Sequence, residues 1–251
     1  VEMRRFDEER TLSALIAAGE ADARLAPGIE AVAARLAAFH DAAAVSPDAP
    51  ADPVSAASHR IALGWTEVRE VQELASEQSV GLRVHEIGRR LEAAALALAD
   101  EIAARGRDGL VRDGHGDVRA EHVLLLEDGT VLVVDRLEYR ADLRTVDVAD
   151  DLSFLVMDLI ALGRPQLADT LARAYADAGG RVCSHALLSL YGARRALVRA
   201  KVDLLRAAQD GEDAGQRQRK GDPPEHGERA GAEVERGLLD RPVAALDHAL
   251  Q

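Results

Sequence analysis

The spacing of apolar residues predicts helices over most of the chain. Apolar side chains recur every three or four positions, as on the buried face of an amphipathic helix. Segments of this kind lie at about residues 7–19, 28–43, 56–76, 82–105, 146–162, 165–178 and 184–208. Asp7 can cap the first segment and Gly19 can end it. We therefore expect a predominantly helical domain.

Between the helical segments the pattern changes to extended. Short apolar runs at 109–112, 123–126 and 131–134 predict strands, and Asp128-Gly129 between the last two is a frequent hairpin turn pair. A two-residue turn there would pair Leu125 with Leu132 and His122 with Asp135. Residues 1–6 read as the end of a further strand. The predicted fold class is α+β, mostly helical.

Composition narrows the choice of class and partner. Only 3% of residues are aromatic, so the core must be built from Ala, Leu and Val, which suits packed helices. The formal net charge of −13 disfavours binding to nucleic acid. No apolar run approaches the roughly 20 residues that span a bilayer, so no membrane partner is expected. The single cysteine, Cys183, fits a cytoplasmic protein without disulfides.

The candidate chemistry lies around the predicted hairpin. His115-Gly116-Asp117 forms a polar loop ahead of it, and the hairpin would bring this loop, His122 and Asp135 to one end of the strands. A carboxylate at Asp117 could activate a hydroxyl, and one at Asp135 could hold a hard cation between phosphate oxygens. The residues therefore suggest phosphoryl transfer.

The His-Gly-Asp loop followed by a hairpin that ends in Asp resembles the aminoglycoside phosphotransferase-like, protein-kinase-like family. The resemblance implies a kinase-like carboxy-terminal lobe with a small catalytic β-hairpin, and ATP and Mg²⁺ as cofactors. It implies that Asp117 is the catalytic base with His115 beside it, that Asp135 and His122 hold the metal and nucleotide, and that the downstream Asp147 supports the loop. His122 stands where the family usually has Asn.

Longer stretches, among them DGHGDVRAEHV and LRTVDVADDLSFLVMDL, are similar to a bacterial family that joins such a kinase-like domain to a P-loop ATPase domain. The similarity covers most of residues 1–208. It implies a P-loop ATPase domain as a partner in the parent protein, because this chain contains no Gly-x-x-x-x-Gly-Lys-Ser/Thr motif.

The same resemblance predicts how the chain is divided. Residues 1–20 would be a remnant of an amino-terminal lobe that is largely missing, and residues 21–208 the carboxy-terminal lobe. Residues 209–251, polar and rich in Gly up to about residue 236, would be a disordered linker and tail. The family's glycine-rich loop is not in the sequence, and Glu2 stands where some members have Lys. We therefore expect the chain alone to transfer phosphate poorly.

The favoured function is an ATP-dependent phosphotransferase that acts on a hydroxyl of a small-molecule acceptor. Two alternatives remain open. In one, His115, Asp117, His122 and Asp135 together bind a transition metal in a hydrolase. In the other, the chain is a catalytically impaired kinase-like module that binds a nucleotide or a partner. Metal analysis tests the first alternative, and nucleotide titration with product detection tests the second. The sequence does not identify the acceptor.

Overall fold

The computed structural model describes residues 7–75 and 78–219, and its fold is α+β and mostly helical, as predicted. The strand predicted at residues 1–6, with Glu2, lies outside the described residues. The helices are α1 (Leu12–Ala17), α2 (Asp22–Ala42), α3 (Pro53–Leu74), α4 (Gln78–Ala97), α5 (Ala99–Arg107), α6 (Ala141–Arg144), α7 (Val148–Ala161), α8 (Pro165–Asp177) and α9 (His185–Arg219). None of these helices is both long and apolar enough to cross a membrane.

Several helix ends differ from the predicted ones. The segment predicted at 82–105 is two helices, because the backbone at Leu98 leaves the helical conformation between α4 and α5. Helix α2 begins at Asp22, ahead of the predicted residue 28, so Pro27 lies inside it. Helix α9 continues to Arg219, so a disordered linker from residue 209 is wrong for 209–219. Gln, Arg, Glu and Ala in that stretch favour helix despite its polarity. The rest of the predicted tail, 220–251, is outside the described residues.

Two short antiparallel sheets lie between the helices. Strand β1 (Val111–Asp113) pairs with β4 (Thr145–Asp147), and β2 (Val123–Leu125) pairs with β3 (Val131–Val133). Helix α7 therefore begins at Val148, two residues after the predicted start at residue 146. Strand β4 was missed because its three residues lead directly into α7, whose apolar pattern extends back over them.

The register of the β2–β3 hairpin is one residue from the predicted one. Leu124 pairs with Leu132, and the loop has three residues, closed by a hydrogen bond of 2.9 Å from the Leu126 N–H to the Thr130 carbonyl. Gly129 has a φ of 82°, which is the left-handed residue of a three-residue hairpin loop. The His122 carbonyl accepts from the Val134 N–H at 2.9 Å, so His122 and Asp135 are not direct partners in the ladder.

Helix α7 runs between two hydrophobic clusters. Its Leu152, Leu155 and Leu159 pack into a cluster formed with α1, α2, α8 and the β2–β3 hairpin. Its first turn touches a second cluster, formed mainly by α3, α4, α5 and α9, through Ala149. Because almost every position of α7 is buried, the acidic residues of its first turn are buried too. Those residues position the candidate site.

Candidate functional site

The His115-Gly116-Asp117 loop lies between β1 and a 3-10 turn at Ala120–His122. Gly116 has a φ of 85°, and a Cβ added there would lie 2.8 Å from Leu137 Cδ1 and 3.2 Å from Arg144 Cα. A side chain at this position would therefore face both an unfavourable backbone conformation and a collision. The motif requires glycine at this position for steric reasons.

The carboxylate of Asp151, in the first turn of α7, holds this loop in place. Its Oδ2 accepts the N–H of His115 at 2.7 Å, and its Oδ1 accepts the N–H of Gly116 at 2.9 Å. The buried imidazole of His40 approaches Oδ2 at 3.1 Å. Burial disfavours ionisation of Asp151, but hydrogen bonds and charges, led by those of His40, outweigh it and hold the pKa of this carboxyl below its usual value.

The prediction that Asp147 supports the loop is wrong. Asp147 accepts two hydrogen bonds of 2.7 Å from Arg105 and one of 3.1 Å from the Tyr191 hydroxyl. It also caps α7 by accepting from the Ala149 N–H at 2.8 Å. The carboxylate that reaches the loop is on Asp151, one helical turn further along. Sequence spacing alone does not separate acidic residues one turn apart.

His115 positions the loop through both of its ring nitrogens. Nε2 lies 3.0 Å from the carbonyl oxygen of Val134, which can only accept, so Nε2 donates. Nδ1 then accepts from the Asp117 N–H at 3.3 Å. Burial lowers the pKa of His115, which agrees with this neutral tautomer. The ring therefore links the loop to the end of β3, and neither nitrogen is free to act as a base.

Asp117, His122 and Asp135 come together as predicted by their positions around the hairpin. One ligand atom from each lies within 4.8 Å of the others. His122 Nδ1 lies 2.8 Å from the Asp117 backbone carbonyl, to which it donates, and 3.5 Å from Asp117 Oδ2. His122 Nε2 lies 3.3 Å from Asp135 Oδ2. With Nδ1 as the donor, Nε2 is an acceptor, and it takes a hydrogen bond of 3.1 Å from Arg119 Nη2 beside the Asp135 carboxylate.

Asp135 reaches His122 through an unusual backbone conformation. Its φ is 62°, and it is the only non-glycine residue of positive φ in the described parts of the chain. Such conformations are uncommon outside glycine and often lie at functional sites. The side chain of Asp135 is 74% exposed, whereas that of His122 is 9% exposed. The group thus has one accessible carboxylate above a buried imidazole.

The donor set fits a divalent cation. Carboxylate oxygens suit Mg²⁺ and Mn²⁺, and an imidazole adds affinity for Mn²⁺ and Zn²⁺. His115 is not a member of this group, because its ring nitrogens are engaged by the loop and β3. The four residues of the hydrolase alternative therefore do not converge on one point, and three of them do.

Arg119 adds a buried cation beside the group. Its Nε lies 3.0 Å from Asp117 Oδ1, its Nη2 lies 3.1 Å from His122 Nε2, and its Nη1 contacts Glu121. Burial opposes the charge of Arg119, but Asp117 and Glu121 outweigh this effect and raise its pKa. The sequence did not distinguish Arg119 from a surface residue.

A cavity of about 800 Å³ opens beside Asp117. Its walls are the 44–50 loop, α3, α9 and the segment from α6 to β4, with Gly116 and Asp117 at one side. The volume is typical of a site for a small molecule. A bound molecule in this cavity could reach the carboxylate of Asp117.

Two interactions behind the loop were also missed by sequence reasoning. Arg195 donates to the Gly116 carbonyl at 3.0 Å and to Asp150 at 2.6 Å, and so connects α9 to the loop. His40 connects Asp151 to the Tyr175 hydroxyl, which lies 2.9 Å from its Nδ1. The available signal was the pair Asp150-Asp151 at the start of a helix that is apolar on all sides. Such carboxylates must be buried and therefore need partners.

The sequence is similar to mycobacterial proteins that are themselves uncharacterized. The chain is 32% identical over 212 residues to uncharacterized proteins of Mycobacterium bovis and of two strains of Mycobacterium tuberculosis. Each match covers 83% of this chain and 41% of the relative, so the chain spans less than half the length of these proteins. No protein-family model matches the chain, and no solved structure gives a significant match. The activity must be inferred from the site.

Proposed function

We propose that the protein is an ATP-dependent phosphotransferase with a kinase-like carboxy-terminal lobe, which moves the γ-phosphoryl group to a hydroxyl of a small molecule. The observation that carries the proposal is the convergence of Asp117, His122 and Asp135 at the side of a cavity large enough for an acceptor. Phosphoryl transfer depends mainly on positioning and on stabilisation of charge, and the site offers groups for both.

Asp117 is the group best suited to accept the proton of the attacking hydroxyl. It is the residue of the group that lines the cavity, and its loop is fixed by Asp151, His115 and Arg195. A carboxylate held on a fixed loop needs little reorganisation when the acceptor binds. Arg119, at 3.0 Å from Asp117, is a cation available to the negative charge of the phosphoryl group.

Asp135 and His122 would hold the metal beside Asp117. Mg²⁺ held there would offset the negative charge of the ATP phosphates. The exposure of Asp135 leaves its carboxylate open to the side from which a nucleotide would approach. His122 donates through Nδ1 to the Asp117 carbonyl and so orients that loop. Its Nε2 would bind the cation in place of the hydrogen bond that it accepts from Arg119.

The direct test is a transfer assay of the parent protein, because the chain alone is expected to transfer phosphate poorly. It uses ATP labelled in the γ-phosphoryl group and a panel of hydroxylated small molecules. We expect Mg²⁺-dependent labelling of one class of acceptor, and loss of labelling in Asp117→Asn. The exposed Asp177→Asn is the matched control, because it makes the same change at the far end of α8. Labelling that persists in Asp117→Asn would contradict the assigned base.

The hydrolase alternative makes a different prediction about the purified protein. It requires a stoichiometric transition metal that is lost when His115 or His122 is replaced. The hydrogen bonds of His115 disfavour it as a ligand, so we expect His115→Gln to leave the metal content unchanged. The impaired-module alternative predicts nucleotide binding without any labelled product.

The wider setting follows from the same proposal. A kinase-like phosphotransferase of this kind would act in the cytoplasm, where ATP and Mg²⁺ are supplied. The greater length of the mycobacterial relatives leaves room for a P-loop ATPase domain in the parent protein. Probing the parent protein for a second ATP site that survives Asp135→Ala would test this partner.

A further inference from the structure

The cavity beside Asp117 has an unusual concentration of arginine on its wall. Arg60 of α3 and Arg194 and Arg195 of α9 all contact the one carboxylate of Asp150, which is fully buried. Their shortest distances to it are 2.7, 3.3 and 2.6 Å in that order. All three arginines line the cavity. One carboxylate cannot neutralise three guanidinium groups.

The neighbouring acidic residues neutralise this charge only in part. Glu67 lies 3.6 Å from Arg194 Nη1, but it is also 3.1 Å from Lys201, whose other partner is Glu70 at 2.7 Å. Asp147, on the same wall, is engaged by Arg105. Lys201 also lines the cavity. Four cations therefore lie beside three carboxylates at this part of the wall, a local excess of one positive charge. The remaining walls of the cavity carry further carboxylates, those of Asp48, Asp113, Asp117 and Asp142.

Two of the arginines have fixed structural partners. Arg60 stacks on the ring of Tyr191 at 4.4 Å, and Arg195 lies 5.0 Å from the ring of Phe154 and bonds to the Gly116 carbonyl. Arg194 is held more loosely, because it lies 3.3 Å from the carboxylate oxygens of Asp150 and 3.6 Å from that of Glu67.

Buried donors in this cluster also lack partners. The Nε of Arg194 and the Nη2 of Arg195 are both buried without a hydrogen-bond acceptor in the described residues. The side chains of these two arginines are 10% and 5% exposed, so water does not replace the missing acceptors. An unpaired buried donor is costly, and an anion that reached it would supply the missing acceptor.

We propose that this arginine cluster is an anion-binding subsite and that the acceptor is a hydroxylated small molecule carrying a carboxylate or phosphate group. The acceptor would place its anionic group against Arg194 and its hydroxyl against Asp117 on the same cavity. This assignment of the cavity to the acceptor rests on the proposed function.

Electrostatics around Arg194 agree with this role. Burial, together with the charges of Arg195 and Arg60, outweighs Asp150 and Glu67 and lowers the pKa of Arg194. An anion bound beside Arg194 would relieve this repulsion and add a bidentate partner to a planar fork of donors. Anion binding should therefore stabilise the protein as well as occupy the cavity.

The test uses inorganic phosphate and acetate as probes, by calorimetric titration of the 251-residue chain at constant, low ionic strength without nucleotide and with a chelator. We expect one or both anions to bind, with a loss of roughly ten- to a hundredfold in affinity in Arg194→Gln and a smaller loss in Arg194→Lys. Arg164→Gln, which removes a partly buried cation paired with Asp22 away from the cavity, is the matched control. Thermal unfolding of each variant establishes that it is folded.

The outcomes separate this inference from the proposed function. Binding that persists in Asp135→Ala and is lost in Arg194→Gln supports the subsite, whether or not the protein transfers phosphate. The relative affinities for phosphate and acetate then give the class of anionic group. Absence of anion binding, or equal binding in Arg194→Gln and Arg164→Gln, overturns the inference even if Mg²⁺-dependent transfer from ATP is found. Binding of glucosamine more tightly than gluconate, two molecules of the same carbon skeleton, would also overturn it.

Discussion

The carboxylate of Asp151 accepts the backbone N–H of His115 at 2.7 Å, although the two residues are 36 positions apart in the sequence. Its second oxygen accepts the next N–H of the loop, that of Gly116. A buried carboxylate with two backbone donors fixes the direction of the whole loop. The geometry of Asp117 therefore depends on a residue of α7 that never reaches the cavity.

Replacing Asp151 should damage both stability and activity. In Asp151→Asn the amide keeps one acceptor oxygen but turns an NH₂ group towards a backbone donor, and it removes the carboxylate that His40 contacts. We expect a loss of about 3–5 kcal/mol in the free energy of unfolding, since one partner of a buried charged network is removed. Urea unfolding of this variant beside Asp177→Asn measures the loss. A change below about 0.5 kcal/mol would be inconsistent with a structural role for Asp151.

Replacing Asp117 should reduce activity and leave stability nearly unchanged. Its side chain is partly exposed and takes no part in the core, so Asp117→Asn should leave the thermal midpoint within a few degrees of the wild-type value. Phosphoryl transfer should fall by roughly a hundred- to ten-thousandfold, which is the usual contribution of a general base. Comparing kcat and the thermal midpoint for Asp117→Asn and Asp151→Asn separates the base from the residue that positions it.

The exposed carboxylate of Asp135 and the buried imidazole of His122 should differ in how much each contributes to cation binding. Asp135→Ala removes the exposed carboxylate, the preferred ligand of a hard cation, whereas His122→Ala removes an imidazole that Mg²⁺ binds weakly. We expect Mg²⁺-dependent ATP affinity to fall further in Asp135→Ala than in His122→Ala, as measured by titration calorimetry. The reverse order would point to a metal that prefers nitrogen ligands.

The stability of the protein should depend on the ionisation of Asp150 and Asp151. Burial opposes the charge of Asp150, but the guanidinium groups of Arg194, Arg195 and Arg60 outweigh it, so the folded-state pKa lies far below the usual value of 3.8. A lowered folded-state pKa gives stability that is fully present above 3.8 and is lost as the pH falls below that value. Asp150→Asn should be less stable at neutral pH and should show a smaller loss on acidification. Urea unfolding from neutral pH down to about pH 2 measures both effects. If the free energy of unfolding fell with pH as steeply in the variant as in the wild type, Asp150 would not be the source of the acid sensitivity.

The hairpin loop gives a prediction that is independent of function. Gly129 has a φ of 82° and open space around it. The Cβ in Gly129→Ala would therefore meet no other atom, and only the left-handed backbone conformation would destabilise the variant. We expect a loss of about 1–2 kcal/mol. Gly81→Ala is the control, because Gly81 also has open space but lies in helix α4, where alanine should stabilise by about 1 kcal/mol. Equal effects at both positions would contradict the left-handed backbone conformation of Gly129.

The fold class could be predicted from the sequence because helical spacing of Ala, Leu and Val is a strong local signal. The proximity of His122 and Asp135 was predicted as well, although the reason given was wrong. The hairpin loop has three residues and not two, which shifts the register by one, and the positive φ of Asp135 then turns its side chain towards His122. Neither the loop length nor that φ is marked by the residue types.

The network behind the loop could not be predicted, because it depends on contacts between distant segments. Asp147, Asp150 and Asp151 are close in sequence and chemically alike. Which of them faces the loop depends on the rotation of α7, and this rotation is set by packing against α8 and α9. The excess of arginine around Asp150 likewise arises only when α3 and α9 meet. The residue pattern of one segment does not show which distant segments it will contact.

The most direct test of the central claim is pulsed electron paramagnetic resonance of Mn²⁺ bound to the protein in the presence of ATP. Mn²⁺ prefers the same oxygen ligands as Mg²⁺ and reports the nuclei around it. The account predicts a protein-bound Mn²⁺ with phosphorus hyperfine coupling from ATP, lost in Asp135→Ala and retained in Asp177→Asn. A bound Mn²⁺ without phosphorus coupling, or coupling that is unchanged in Asp135→Ala, would contradict the claim that Asp135 and His122 hold the metal of a phosphotransferase beside Asp117.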